Sequence, residues 1–288
     1  MDSANQSRLR TLLVLGRVSN VPTVWSNCLA AWWLGGGGSV GALLWVCFAA
    51  TLLYIGGMFL NDVFDVEFDR VHRKERPIPS GAISLREVRV WSIAQLAAGF
   101  ALMLPFGSET TFYAVLLLGS IVLYDATHKQ LSWSPLIMAA CRFFLFLAAS
   151  SVGANGVNGL TIWCAAALAS YITGLSYVAK HESAPGMLRF WPCIFVAFPL
   201  VLAGVVNDGE FRTRGFIFMA VLAVWVARCL RLTYSLAKPE IGRTVSGLLA
   251  GIVLVDLLAV ADSNIALAPW FCLLFVLALV FQRFVPAT

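Results

Sequence analysis

Charged residues are scarce in this sequence. Of its 288 residues, 12% are Asp, Glu, Lys or Arg and 60% are hydrophobic, whereas soluble globular domains average about 25% charged residues. A soluble protein of this size needs a polar outer face on every helix, and this composition excludes such a face for most of the chain. We therefore expect membrane lipid around the protein and no nucleic-acid partner.

Paired cysteines are also missing. The seven cysteines stand singly, mostly inside apolar stretches, and neither a C-x-x-C pair nor a paired histidine spacing occurs. This pattern argues against a disulfide framework, a zinc site and an iron–sulfur cluster. We interpret the cysteines as small apolar packing residues.

The sequence instead has a series of apolar stretches, each long enough to cross the roughly 30 Å hydrocarbon core of a bilayer. We predict an all-α fold, a polytopic bundle of ten transmembrane helices around a central cavity, in a single domain over residues 1–288. Nine helices is the alternative, because Asp262, Ser263 and Asn264 are the only break between the last two stretches. The predicted spans are 18–37, 40–60, 88–106, 111–127, 134–154, 160–179, 190–206, 215–234, 245–262 and 266–284.

The basic residues are distributed unevenly over the ends of these helices. With the amino terminus inside, all Lys and Arg residues except Arg142, Arg212 and Arg214 fall on the cytoplasmic side. Because cytoplasmic flanks of membrane helices accumulate Lys and Arg, we predict that both termini are cytoplasmic if there are ten helices. The longest polar segment, from about residue 61 to 86, lies on the same side and predicts a cytoplasmic active site.

The second apolar stretch is followed by an acidic helix face. Asp62, Asp65 and Asp69 are spaced three and four residues apart, and Asn61 precedes Asp65 by four, so all four fall on one face. Carboxylates stacked in this way repel each other and require a divalent cation or a strongly basic partner. Oxygen ligands that leave positions open for water and phosphate suit Mg²⁺. We predict that the four residues bind Mg²⁺ and that the three aspartates are the catalytic residues.

A basic cluster follows the acidic face directly and consists of Arg70, Arg73, Lys74 and Arg76. Arginine binds phosphate oxygens with two parallel hydrogen bonds. Acidic and basic groups in one segment predict a metal-bridged diphosphate site, with Arg73 and Arg76 as phosphate ligands. The alternative is a solvated loop whose acids and bases pair with one another.

This segment resembles the first aspartate-rich motif of the UbiA superfamily of membrane prenyltransferases, NDxxDxxxD followed by a basic stretch and RPxPSG. The stretch from Gly16 to Asn27 is similar to the first-helix entrance of that family. Tyr124 and Lys129 resemble its later Tyr and Lys element, although the family usually has the base at the position of His128. The resemblance implies a Mg²⁺-dependent enzyme that binds a prenyl diphosphate and an acceptor. The matching motif residues are Asn61, Asp62, Asp65, Asp69, Arg76, Pro77, Pro79, Ser80 and Gly81.

The chain departs from the family pattern after the sixth predicted helix, where the family has a second acidic motif that holds a second Mg²⁺. Here the stretch Ser170–Ser183 keeps Tyr177, but Glu182 is its only carboxylate. We expect Lys180 and His181 either to supply positive charge to the diphosphate or to anchor the helix at the membrane surface. The altered motif resembles a divergent, EboC-like branch of the superfamily.

Ionisable residues also occur inside the predicted spans. Arg142 lies about eight residues into the fifth span, and we predict that it lines the substrate site, because a charge in lipid is costly without a partner. Asp125 is a candidate partner for the basic groups or a supporting acid. Asp256 lies deep in the ninth span, and the sequence indicates no partner for it.

We therefore expect a prenyltransferase that uses Mg²⁺ to release pyrophosphate and passes the prenyl group to an aromatic or lipid acceptor. Two alternatives stay open on the same fold. One is a non-catalytic lipid-binding or lipid-transport protein, and the other is a terpene cyclase without an external acceptor. The predicted substrate-binding residues are Arg73, Arg76, Tyr124, Lys129, Arg142, Tyr177 and Lys180.

Overall fold

The computed structural model describes residues 3–183, 190–206, 209–236, 238–262 and 265–287. In these ranges the chain forms eleven α-helices and four short 3₁₀ turns, the first of which is Val18–Asn20. The α-helices are α1 (Ser3–Leu15), α2 (Val21–Leu34), α3 (Val40–His72), α4 (Leu85–Met103), α5 (Ser108–Thr127), α6 (Ser134–Ser150), α7 (Gly159–Ser183), α8 (Pro192–Val206), α9 (Arg212–Tyr234), α10 (Ile241–Ala259) and α11 (Ala268–Phe281).

The predicted spans coincide with α2 to α11, whereas α1 was not predicted. Within the described ranges, six helices are long and apolar enough to cross a membrane: α3, α4, α5, α7, α9 and α10. The apolar helices α6, α8 and α11 are shorter, so the expected number of nine or ten spanning helices is not confirmed. The turn expected at residues 262–264 lies partly outside the described residues.

Helix α3 extends well beyond the thickness of a bilayer core. Its 33 residues correspond to about 50 Å at about 1.5 Å per residue, compared with about 30 Å of hydrocarbon. The helix ends at His72, and the backbone N–H of the next residue, Arg73, donates to the Asp69 carbonyl oxygen at 2.8 Å. The acidic face thus lies on the last turns of a helix whose first turns are apolar.

Helices α3 and α4 pack closely because glycines line their contact. A Cβ atom at Gly99 of α4 would lie 2.9 Å from the Ala49 carbonyl oxygen and 2.8 Å from Leu53 Cγ. Two turns further along α3, the Ser92 hydroxyl donates to the Gly56 carbonyl oxygen at 2.9 Å. This close approach fixes α4 against the helix that carries the acidic face.

Helix α2 lies between the two halves of the bundle. It contacts α3, α6, α10 and α11, and α10 also contacts α7 and α9. Phe146 and Phe271 are completely buried in this core. The Tyr171 hydroxyl is buried too and donates to the Leu248 carbonyl oxygen at 2.9 Å, which joins α7 to α10.

The close packing at Gly99 predicts that one added methyl group lowers the stability of the protein at this position but not at an open one. Gly99→Ala should lower the stability of the protein by about 1–3 kcal/mol, because the new Cβ meets backbone that has no room to move. Gly119→Ala on α5 is the matched control, since nothing lies within 4 Å of its Cβ position. Thermal unfolding in detergent compares the two. Equal melting temperatures would contradict the close α3–α4 packing.

Candidate active site

The acidic face of α3 points into the protein. Asn61, Asp62, Asp65 and Asp69 are each between 2% and 7% exposed, whereas Phe64 between them is 50% exposed. The four side chains therefore share one buried face, as their spacing predicts. Burial raises the energetic cost of leaving these carboxylates without partners.

Arg76 neutralises two of the three aspartates. Its Nη1 atom lies 2.9 Å from Asp62 Oδ1 and 3.5 Å from Asp69 Oδ2. Arg17, in the loop between α1 and α2, adds a second cation, with its Nη2 atom 3.9 Å from Asp62 Oδ1. The turn after α3 thus returns Arg76 over the acidic face, which agrees with the predicted proximity of acid and base.

Asp65 pairs with two basic residues from the loop after α5. Lys129 Nζ lies 2.6 Å from Asp65 Oδ1, and His128 Nε2 lies 3.2 Å from the same atom. The His128 ring stacks on Tyr124, with ring centroids 5.1 Å apart, and Lys129 Nζ lies 4.4 Å from the centre of the Phe68 ring. Burial lowers the pKa of the His128 imidazole, but its hydrogen bond to Asp65, the negative charge of Asp65 and its hydrogen bond to the Asp125 backbone together outweigh burial, so the pKa is raised above its usual value.

Asn61 connects the acidic face to α5. Its Nδ2 atom donates to Asp125 Oδ1 at 3.1 Å, and its Oδ1 atom accepts from Arg17 Nη2 at 3.5 Å. Asp125, which the sequence marks as a partner for basic groups or a supporting acid, is 4% exposed. Its observed partner is the Asn61 amide, so it fixes which way that amide points.

The residues present suit Mg²⁺ chemically, but the aspartates are paired with cations. Among the described residues, no three His, Cys, Asp or Glu side chains are close enough together to hold a metal ion. Two buried carboxylate oxygens here, Asp69 Oδ1 and Asp125 Oδ2, have no hydrogen-bond partner among the described residues, and Asp65 Oδ1 has only its ion pairs with Lys129 and His128. Amide and carboxylate oxygens are ligands that Mg²⁺ accepts. Binding the ion here requires Arg76 and Lys129 to exchange their carboxylate partners for another anion.

The other predicted substrate ligands have different surroundings. Lys180 Nζ donates to the carbonyl oxygens of Leu131 and Ser132, at 3.1 and 3.0 Å, so it holds the loop that carries Lys129. Tyr177 packs edge-on against Trp191, with ring centroids 4.4 Å apart. Arg73 lies directly after α3 and is partly buried. The side chains of His181 and Glu182 lie outside the described part of the structure.

Arg142 belongs to a buried polar network that joins three helices. Its Nη1 atom donates to Asn27 Oδ1 at 2.6 Å, and its Nη2 atom donates to Thr23 Oγ1 at 3.1 Å. Asn27 Nδ2 in turn donates to Asp256 Oδ2 at 2.7 Å, and the Ser26 hydroxyl donates to the same oxygen at 2.5 Å. The network ties α2 to α6 and α10, and it gives Asp256 the partners that the sequence did not indicate.

Sequence reasoning missed several of these contacts. Arg17 lies in the stretch that resembles the family's entrance segment, and it is the one non-glycine residue with a positive φ, 42°, in the described ranges. His128 stands where the family usually has its base, and Lys129 is the base one residue later. Both side chains contact Asp65 and therefore reach the acidic face. The polar residues of α2 gave a signal only as a Ser-Asn pair inside an apolar stretch.

Known proteins resemble this chain in sequence. The sequence model of the UbiA prenyltransferase family matches residues 19–285. Digeranylgeranylglyceryl phosphate synthase of Metallosphaera sedula is 29% identical over 174 residues, which make up 60% of this chain and 51% of that relative. The chain thus spans about half the length of this curated relative.

Solved structures resemble the chain in fold. A UbiA homolog from Aeropyrum pernix K1 matches with a TM-score of 0.67 and 14% identity, over 86% of this chain and 98% of that chain. A UbiA homolog from Archaeoglobus fulgidus bound to GPP and Mg²⁺ matches with a TM-score of 0.54 and 14% identity, over 96% of this chain and 97% of that chain. At these identities the likeness establishes a shared fold. The six long apolar helices of the described residues and the family match support an integral membrane protein.

The buried network predicts that loss of the Asn27 side-chain amide strongly destabilises the protein. Asn27→Leu should lower the free energy of unfolding by about 3–5 kcal/mol, because it removes a partner from both Arg142 and Asp256. Ser26→Ala is the control, since Asp256 keeps Asn27 and loses one hydrogen bond to a charged group, worth about 1.5–3 kcal/mol. Unfolding in detergent measures both, and an Asn27→Leu protein as stable as Ser26→Ala would refute the bridging role.

Proposed function

Since this chain belongs to the UbiA prenyltransferase family, we propose that it is a membrane prenyltransferase. It transfers a prenyl group from a prenyl diphosphate to an aromatic or lipid acceptor, with Mg²⁺-assisted loss of pyrophosphate. The observation that carries this proposal is the buried acidic face of α3 with its basic partners, Arg76 and Lys129. Such an arrangement supplies both kinds of group that a metal-bound diphosphate requires.

The diphosphate is bound by the cations that now pair with the aspartates. Arg76 and Lys129 exchange carboxylate oxygens for phosphate oxygens, and Arg73 and Arg17 add positive charge at the end of α3. This exchange keeps every buried charge neutralised before and after binding, which limits its free-energy cost. Tyr124 keeps His128 stacked beside Asp65, so this side of the site keeps its shape when Lys129 changes partner.

Asn61, Asp62, Asp65 and Asp69 would hold Mg²⁺ when the diphosphate is bound. The ion supplies stabilisation of the negative charge that develops on the leaving oxygens. Asp69 Oδ1, which is buried and has no hydrogen-bond partner among the described residues, offers a ready oxygen ligand. The solved UbiA homolog from Archaeoglobus fulgidus with GPP and Mg²⁺ supports the same pairing of ion and prenyl diphosphate here.

In the reaction, the bond between the prenyl C1 atom and the diphosphate oxygen breaks, and pyrophosphate leaves with the electron pair. The remaining allylic cation is attacked by a nucleophile of the acceptor, which then loses a proton. Arg76, Arg73 and Lys129 stabilise the charge on pyrophosphate. The central cavity that the sequence predicts would keep water away from the cation.

The class of the acceptor and the side of the membrane on which the active site lies are proposed from the name of a relative and from the distribution of charge. The name of the Metallosphaera sedula relative, digeranylgeranylglyceryl phosphate synthase, favours a lipid acceptor over an aromatic one. Arg142 and Tyr177 remain proposed substrate ligands, whereas Lys180 supports the site through the loop that carries Lys129. The excess of Lys and Arg at the end with the acidic face supports an active site on the cytoplasmic side.

Carboxylate removal tests the enzymatic proposal. The double variant Asp62→Asn, Asp65→Asn should release pyrophosphate from a prenyl diphosphate and Mg²⁺ at least about 100-fold more slowly than wild type, because charge stabilisation at the leaving oxygens is lost. Glu67→Gln is the matched control on the same helix, since the Glu67 side chain is 79% exposed and pairs with Arg70. Purified protein with a lipid extract as the acceptor source provides the assay.

The same assay separates the alternatives. Equal pyrophosphate release by wild type and the double variant would end the enzymatic proposal and favour a lipid-binding or lipid-transport protein. Release without any acceptor, with a cyclised hydrocarbon as product, would favour a terpene cyclase. Mass spectrometry of the product distinguishes a prenylated acceptor, made by a prenyltransferase, from a cyclised hydrocarbon, made by a terpene cyclase.

Lys180 is expected to act on binding through the loop it holds. Lys180→Met should raise the KM for the prenyl diphosphate roughly tenfold, because the loss of two charged hydrogen bonds frees the loop that carries Lys129. Lys180→Arg keeps the charge and should stay close to wild type. A Lys180→Met protein with unchanged KM would show that the loop holds its position without the ammonium group.

A further inference from the structure

The end of the described chain lies against its beginning. Helix α11 packs against the first 3₁₀ turn, Val18–Asn20, and against α2. The Asn20 Nδ2 atom donates to the Ala287 carbonyl oxygen at 2.9 Å. The Ser19 hydroxyl donates to the Pro286 carbonyl oxygen at 3.4 Å. Two successive side chains of the turn therefore hold two successive carbonyl groups of the segment after α11.

This contact is buried rather than a loose surface association. Asn20 is 4% exposed and Ser19 is fully buried, while Val285 and Ala287 are 8% and 5% exposed. Phe284, directly before them, is 71% exposed. Because a buried donor that loses its partner also loses its hydration, such a contact resists release.

The residue before the turn, Arg17, adopts a conformation that needs support. Its φ and ψ are 42° and 48°, in the left-handed region that non-glycine residues occupy only when their surroundings determine it. Its carbonyl oxygen accepts from the Asn20 N–H at 3.0 Å and from the Tyr54 hydroxyl at 3.3 Å. Asn20 thus contacts Arg17 through its backbone and the C-terminal segment through its side chain.

Arg17 carries this arrangement into the acidic face. Its Nη2 atom lies 3.5 Å from Asn61 Oδ1 and 3.9 Å from Asp62 Oδ1. A continuous series of contacts therefore leads from Ala287 through Asn20 and Arg17 to Asp62. If the turn relaxes, the guanidinium group leaves the position from which it adds charge to the site.

We infer that residues 285–287 are a brace for the diphosphate site and that Asn20 is a positioning residue, which sets the place of Arg17 without touching substrate. The inference deepens the proposed function and rests on it for the identity of the ligand. Releasing the brace weakens the binding of the prenyl diphosphate and leaves the carboxylates intact. A lost buried hydrogen bond corresponds to about tenfold in affinity.

Asn20→Ala and a deletion of residues 285–288 test the brace in the full-length membrane protein in detergent. Each should raise the KM for the prenyl diphosphate about tenfold with a smaller change in kcat. Phe284→Ala is the control in the same segment and should leave KM unchanged. Thermal unfolding of each variant shows whether the bundle is intact.

Combination with Arg17→Met separates a positioning role from a general structural one. If Asn20 acts through Arg17, adding Asn20→Ala to Arg17→Met causes no further rise in KM. A further tenfold rise in the double variant, or an unchanged KM in Asn20→Ala alone, overturns the inference.

Calorimetric titration with the prenyl diphosphate keeps this test separate from the enzymatic proposal. Absence of pyrophosphate release by wild type would contradict the proposed function. The dissociation constants of wild type, Asn20→Ala, Arg17→Met and the double variant would still show whether Asn20 acts through Arg17. Equal dissociation constants for wild type and Asn20→Ala would reject the brace.

Discussion

Three aspartates lie on one buried face of α3, and their mutual repulsion must be balanced if that helix is to stay packed. The protein meets this constraint with cations from three separate segments: Arg17 before α2, Arg76 after α3 and Lys129 after α5. Two of these segments are fixed by further contacts: the Arg17 carbonyl oxygen accepts from Asn20 of the 3₁₀ turn and from Tyr54, and Lys180 holds the loop that carries Lys129. The arrangement of the loops at this end of the bundle thus follows from the charge of one helix face.

Much of this site was predictable because its spacing is local. The positions of Asp62, Asp65 and Asp69 along one helix determine their common face, whatever the rest of the chain does. The apolar stretches likewise predicted where ten helices lie, since a run of about 20 apolar residues has few other stable environments. The sequence required either a divalent metal ion or a strongly basic partner for the aspartates. Arg76 is such a basic partner.

The partners that come from distant segments were harder to predict. Asn27 meets both Arg142 and Asp256 because α2 lies between the two halves of the bundle, and helix order within a bundle is not encoded in hydropathy. Arg17 reaches Asp62 from a left-handed backbone conformation of its own, which no local sequence pattern indicates. Lys180 was expected at the diphosphate or at the membrane surface, but it binds two carbonyl oxygens of a neighbouring loop. In each case the sequence supplied the charge, and tertiary packing selected its partner.

The length of α3 links the site to the surrounding lipid. The turns that carry the aspartates continue, without a break, the turns that lie in hydrocarbon. When the bilayer becomes thinner or thicker, a membrane helix adjusts its tilt to match, and a straight helix changes direction along its whole length. The acidic turns and the apolar turns therefore belong to one continuous helix, and the ion pairs with Arg17, Arg76 and Lys129 hold its charged end against any change of tilt.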